Sequence, residues 1–201
     1  MALLATSRCR RAGVRLPILS SLLWLAALCL ASPAESPAAP VSEVAEYQIK
    51  AVFLFNFAQF VDWPVTAFAD GDSPLVIGIL GADPFGQYLD EAVKGEKVNN
   101  RSLVVRRFAR AEDAVGCHIL FISKSESGHL AQILEQLKDR SILTVGDVDG
   151  FNQQGGIIRF AVENSKVRLK INLKAAKAAH LTISSKLLRP AEIVSMRRDP
   201  Q

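Results

Sequence analysis

Short apolar runs alternating with helix-like stretches predict an α/β fold, with a three-layer, Rossmann-like, largely parallel sheet flanked by helices and a C-terminal β-hairpin. Three observations carry this reading. Leu75 to Leu80, Leu103 to Phe108, Cys117 to Ile122 and Ile142 to Val145 are short, mostly apolar runs, as expected of strands covered on both faces. The stretches between them carry helical spacing, and parallel strands need such crossovers. After residue 156 the pattern turns to two alternating strands around a polar turn.

Residues 1–34 read as a cleaved signal peptide. Arg8, Arg10, Arg11 and Arg15 form a basic start, Leu16 to Leu30 an apolar core, and Ala31 and Ala34 offer small residues for cleavage. The apolar core is shorter than the roughly 20 residues a spanning helix needs. Removing this segment takes four of the 24 basic residues and none of the 20 acids, so the mature chain is close to neutral. The overall basicity therefore gives no support for nucleic-acid binding. Cys9 and Cys29 leave with the leader, and Cys117 remains alone without an intramolecular disulfide partner. The mature chain is expected to be exported and soluble. Residues 35–42, rich in Ser, Pro and Ala, read as a flexible tether.

The domain is expected over residues 43–196, with a disordered tail at 197–201. Its opening helix begins near Glu43 and stops before Pro64. Ile49, Phe53, Phe57 and Phe60 fall at helical spacing. Lys50, Asn56 and Gln59 interrupt the apolar run and argue against a membrane span. A helix apolar on so much of its girth must be buried, so Phe53, Phe57 and Phe60 serve the core or a homodimer. After the first strand, Asp83 is a suitable N-cap and Pro84 a suitable first residue for a helix running to Val93. A short helix is expected at Ala111 to Val115. Ser127 to Asp139 is amphipathic through Leu130, Ile133, Leu134 and Leu137. The hairpin pairs Ile157 to Ala161 with Lys166 to Ile171, turning at Glu163-Asn164-Ser165. Helices at Lys174 to His180 and Ser185 to Leu188 complete the domain.

Motifs of catalysis and cofactor binding are absent. There is no phosphate loop and no nucleophile elbow, and Gly78, Gly81 and Gly86 do not make a dinucleotide-binding turn. His118, His129 and His180 lack metal-ligand spacing, and adjacent Cys117 and His118 on a strand point to opposite faces. No catalytic residue, metal or cofactor is expected. In parallel sheets ligands gather at the carboxyl ends of strands, which makes Gly81, Asp147 and Asp149 candidates for a small ligand. The blander reading of the two aspartates is a polar turn capping the strand. On the hairpin, Lys166, Arg168 and Lys170 share one face, joined by Arg159 if the register allows. This is either an ordinary solvated face or a docking surface for an acidic partner. Gly155-Gly156 before it suggests a bulge or a close backbone approach.

Read in order, several segments resemble the YfiR-like family of exported proteins over about residues 46 to 194. They begin with Tyr47-x-x-Lys50-Ala51-x-x-Leu54-x-x-Phe57-x-x-Phe60-x-x-Trp63-Pro64, followed by Gly81-x-Asp83-Pro84-Phe85-Gly86 and Cys117-His118-Ile119-Leu120-Phe121-Ile122. Leu143-Thr144-Val145-Gly146-Asp147, Gly150-Phe151, Gly155-Gly156, Ile171-Asn172-Leu173 and Ser184-Ser185-Lys186-Leu187-Leu188 complete the series. The resemblance implies a non-catalytic periplasmic regulator. It would bind the periplasmic part of an inner-membrane diguanylate cyclase and hold it inactive, keeping cyclic di-GMP and biofilm matrix low. Phe151, Ile158, Arg159, Arg168 and Lys170 are the expected partner surface, and membrane contact would come only through that partner.

Two departures stand out. Relatives often carry a second cysteine in the first strand, where this chain reads Val76-Ile77-Gly78-Ile79. The family's Phe-Glu-Ile-Asn appears here as Leu169-Lys170-Ile171-Asn172, a reversal of charge. The alternative function is a periplasmic small-molecule sensor module that signals through a partner in trans.

Overall fold

The computed structural model describes residues 42–194. The expected signal peptide, the tether up to residue 41 and the tail at 197–201 lie outside the described residues. The opening helix α1 spans Glu43–Phe60. Ser42 caps it, its side chain accepting from the Ala45 N–H at 3.3 Å, and Glu43 and Glu46 suit the positive end of the helix dipole. The chain then turns extended into the short strand β1, Val61–Asp62, which pairs antiparallel with β9, Thr182–Ile183.

The main sheet contains β2 (Leu75–Leu80), β3 (Lys97–Val98), β4 (Arg101–Phe108), β5 (Ile119–Ile122), β6 (Leu143–Gly146), β7 (Ile158–Glu163), β8 (Lys166–Ile171) and β10 (Glu192–Ile193). Its spatial order is β10-β8-β7-β6-β5-β2-β4-β3. The central pairings β4/β2/β5/β6/β7 are all parallel, while the hairpin β7/β8 and the edge pair β3/β4 are antiparallel. The expected α/β class is the observed one. Edge strand β10, which adds in parallel to β8, was invisible in a segment of only two paired residues.

Alternation along β2 sorts the core into two layers. Leu75, Ile77 and Ile79 join Leu54 and Phe57 of α1, together with Ile119, Phe121, Leu143 and Val145. Val76 and Leu80 join Leu120, Ile122 and the buried face of α3, Leu130–Gln136. Gly78 sits on this second face, where an added Cβ would lie 2.6 Å from Cys117 Sγ and 2.8 Å from Leu120. The space is already taken, so glycine is a packing requirement there.

Two helices differ from expectation. Asp83 does not start a helix. Its Oδ1 closes a turn by accepting from the Phe85 and Gly86 N–H groups at 2.8 and 3.2 Å. Helix α2 begins only at Gln87 and runs to Val93, after Gly86 has taken a φ of 52°. Arg107 holds this turn, donating to Asp83 at 2.8 Å and to Asp90 at 2.5 Å. Likewise, Lys124–His129 is a 3-10 segment, and α3 covers only the following turns. The remaining helices, α4 (Leu173–Ala178) and α5 (Ser185–Leu188), are capped by the side chains of Asn172 and Ser184.

Candidate functional site

The carboxyl ends of β5 and β6 converge on a buried charge centre. Asp147 follows β6 directly, and its side chain is 3% exposed. Lys50 of α1 is 1% exposed and reaches it at 2.5 Å, while also holding Glu46 one turn back at 2.5 Å. The Tyr47 hydroxyl donates to Asp147 Oδ2 at 2.9 Å, and Lys50 Nζ stands 4.3 Å from the Tyr47 ring centroid. Burial, followed by the Asp147 charge and hydrogen bond, raises the Tyr47 pKa and keeps the phenol protonated. Lys124, after β5, completes the group 3.7 Å from Asp147.

Residues 97 positions apart in sequence thus tie α1 to the sheet. The spacing Tyr47-x-x-Lys50 held the signal, since helical residues three apart are neighbours. Reading Lys50 as an interruption of the apolar face missed it. The lysine is on the inside.

Asp147 and Asp149, considered together as ligand candidates, share a cavity of about 210 Å³ with Glu46, Lys50, Lys124 and Arg159. Their environments differ sharply. Asp149 is exposed and pairs with Arg159. Gly81 does not line this cavity. It turns at a φ of 86° against the side chains of Ser125 and Glu126.

The hairpin register settles the position of Arg159. It pairs with Lys170, Ala161 with Arg168 and Glu163 with Lys166, so these residues share one face. Much of its positive charge is compensated. Lys170 contacts Glu163 at 2.9 Å and Glu192 at 3.1 Å, which raises the lysine pKa, chiefly through these hydrogen bonds. Arg159 is occupied by Asp149. Among the described residues, exposed Arg168 and Lys166 make no salt bridge.

Phe151 and Ile158, expected on the partner surface, are both 0% exposed. Neither is available for docking in this conformation. Phe151 instead fills the layer behind the sheet, where added Cβ atoms at Gly146 and Gly156 would strike its ring. The close approach suggested by Gly155-Gly156 is therefore made by an aromatic side chain. Ile158 packs beneath α1 with Phe160 and Leu169, since its strand partner is Ile171. Of the three helix phenylalanines, Phe57 is fully buried and stacks on Phe160 at 5.8 Å, while Phe53 and Phe60 are partly buried against the core.

A model of the YfiR/HmsC-like family matches residues 47–192. The chain belongs to that family. Membership supports a periplasmic regulator of diguanylate cyclase signalling in general, from a family of regulators rather than enzymes. No curated protein matches the chain. Among solved structures, that of the ABC domain in complex with L-Trp from Streptococcus pneumonia is similar at 9% identity, with a TM-score of 0.48. The match covers 72% of this chain and 60% of that one, a likeness too loose to bear on function.

Within this YfiR/HmsC-like domain the two sequence departures now have physical settings. Cys117 is a free, buried thiol whose pKa burial pushes up to about 12, with Arg106 opposing, so it stays protonated and unreactive at neutral pH. It faces Gly78 rather than a second cysteine. Lys170, the second departure, is held by the two nearby glutamates.

His118 precedes β5 at its opposite end, in a setting that no local pattern announces. It is 4% exposed, its Nδ1 accepts from the Val76 N–H at 3.1 Å, and its ring stacks on Phe68 at 4.3 Å. The Arg101 guanidinium stands 3.9 Å from the Phe68 ring centroid. Burial lowers the His118 pKa to about 4, the Ala67 backbone opposing and the Arg101 charge assisting. The unfolded chain takes up a proton near 6.5 while the folded one does not. Stability from this group is therefore complete above pH 6.5 and falls as the pH drops towards 4. The loss is on the order of 3 kcal/mol. Urea titrations across this range are expected to show it, and His118→Phe to flatten the profile while lowering stability at neutral pH.

Proposed function

We propose that the protein binds the periplasmic domain of an inner-membrane diguanylate cyclase and represses it, lowering cyclic di-GMP and biofilm formation. The observation that carries this reading is the family match over nearly the whole described domain. Repression requires only that the protein prefer the inactive conformation of its partner. A tenfold preference shifts that equilibrium by about 1.4 kcal/mol. The partner surface is the outer face of the hairpin, with Arg168 and Lys166 as its uncompensated charges and Arg159 and Lys170 beside them.

Arg168→Glu tests that surface. The residue is exposed and unpaired, so the fold should keep its stability to within about 0.5 kcal/mol. Binding to an acidic partner is expected to weaken by roughly tenfold or more, chiefly through slower association at low salt. Affinity capture from membranes with the mature protein as bait tests the partner class. Recovery of a cyclase with a periplasmic domain supports the proposal, and its absence with such a cyclase expressed speaks against it.

A homodimer, if formed, would use the exposed Ile49 and Val52 on α1 rather than buried Phe57. A second reading, a small-molecule sensor acting through a partner in trans, has the cavity beside Asp147 in its favour. Failure of native protein from its own periplasm to retain any ligand in mass spectrometry would count against that reading.

A further inference from the structure

His118 lies under a segment with little regular structure. Residues 64–74 join β1 to β2 and contain one 3-10 turn, Val65–Ala67. Phe68 of this segment stacks on the His118 ring at 4.3 Å, and Trp63 just before it meets the ring edge-on at 6.2 Å. The Trp63 indole N–H also donates to the His118 carbonyl at 3.1 Å. From β4, Arg101 contacts Phe68 and donates to the carbonyls of Asp70 and Ser73 at 2.9 and 2.7 Å. The segment is thus held by the histidine ring and by Arg101.

The hydrogen bonding of the ring decides what a proton does there. Nδ1 is an acceptor, taking the Val76 N–H at 3.1 Å. The neutral ring therefore carries its hydrogen on Nε2, which lies near the Ala67 backbone without a well-formed hydrogen bond. A second proton must enter at Nδ1, where the Val76 N–H already points, and two donors would then face each other. No charge nearby compensates. Arg101 on β4 disfavours a proton on the ring. The Asp70 carboxylate is engaged by the Ser73 hydroxyl and the Asp72 N–H, and Asp62 of β1 is exposed. The strand neighbours Val76 and Leu143 are uncharged. Strand β2 is fixed by its pairing with β4 and β5, so it is the ring that moves, and its cover with it.

We propose that His118 is an acid-operated latch: protonation at Nδ1 expels the ring from its place against the Val76 N–H and releases segment 64–74. Release opens a cavity of about 80 Å³ that Trp63 and Phe68 line together with Ala58, Val61, Leu75 and Val98. Those last four are buried in the closed form and become an apolar surface in the open one. The folded pKa of His118 is depressed below its ordinary 6.5, so this group's contribution to closure is complete above pH 6.5 and is lost as the pH falls towards 4. Because the proton is bound only on opening, the open fraction rises about tenfold per pH unit across that range. The latch concerns the protein's own conformations, so its failure and that of the cyclase reading are separable.

Trp63 is the only tryptophan of residues 35–201, so its fluorescence reports the segment in the mature protein. Between pH 7.5 and 4 its emission is expected to move to longer wavelength while far-UV circular dichroism stays constant. Over the same range, hydrogen exchange followed by NMR should show Val76 losing protection about tenfold per pH unit below 6.5, after correction for intrinsic rates, with Ile77 and Ile79 unaffected. His118→Phe is expected to abolish both responses. Phe68→Ala, at a partly exposed position, removes the cover and is expected to move the fluorescence transition to higher pH. Constant emission and constant Val76 protection down to the pH at which secondary structure is lost would overturn the proposal. So would an unaltered response in His118→Phe or an unmoved transition in Phe68→Ala.

Discussion

Lys50→Met is expected to destabilise the domain by about 3–5 kcal/mol, because it leaves the Asp147 carboxylate buried without its cation. Lys50 and Asp147 are 1% and 3% exposed and 2.5 Å apart. Lys124 cannot replace the lost partner well, standing farther away on a mostly exposed side chain. Most of the penalty belongs to the stranded charge rather than to lost attraction. The double variant Lys50→Met/Asp147→Leu should therefore recover much of the loss, although the Tyr47 hydroxyl then loses its acceptor. Urea denaturation with an unchanged m-value measures both effects. A Lys50→Met variant within about 0.5 kcal/mol of the parent would show that the pair is not buried as described.

Phe151→Ala should cost a similar amount, about 3–5 kcal/mol, by opening a cavity behind β6. The ring is fully buried and wedged between two glycines, Gly146 and Gly156. The reverse change, Gly156→Ala, pushes a methyl into the same ring and should cost about 1–3 kcal/mol. Since both act on one space, they must couple: in the Phe151→Ala background the added methyl should cost little. Additive losses in a double-mutant cycle would contradict this packing. The loop that Phe151 anchors also carries Asp147 and Asp149, so its loosening should disturb the charge centre as well.

Much of the fold was legible because the periodicity was strong. The run Leu75 to Leu80 is uniformly apolar, and the structure buries all six residues on both faces of the central strand. The hairpin was equally plain, with a polar turn in which Asn164 and Ser165 take positive φ. Helix starts were less legible. Asp83 has the composition of an N-cap, but Arg107 from a neighbouring strand holds it in a separate turn. No local pattern shows that contact.

The charge centre was half legible. Asp147 stood out by its place after an apolar strand, while its partner Lys50 looked like a solvated break in a helix. A lysine can be recognised as buried only when the carboxylate it meets, nearly a hundred residues away, is known. Phe151 was misplaced for a related reason, since its burial depends on the space left over Gly146 and Gly156. The two close-approach glycines were the available sign that the ring turns inward. The hairpin's alternation correctly gave its two faces. It did not show that Glu192, from a short edge strand, would neutralise Lys170.

Cellular cyclic di-GMP measures repression of a cyclase by binding most directly. The gene is deleted in cells that express the candidate cyclase, then restored as wild type or as Arg168→Glu. Cyclic di-GMP is expected to rise on deletion, to return to the parental level with the wild-type protein, and to return incompletely with the charge-reversed variant. An unchanged level after deletion, with the cyclase present, would contradict it.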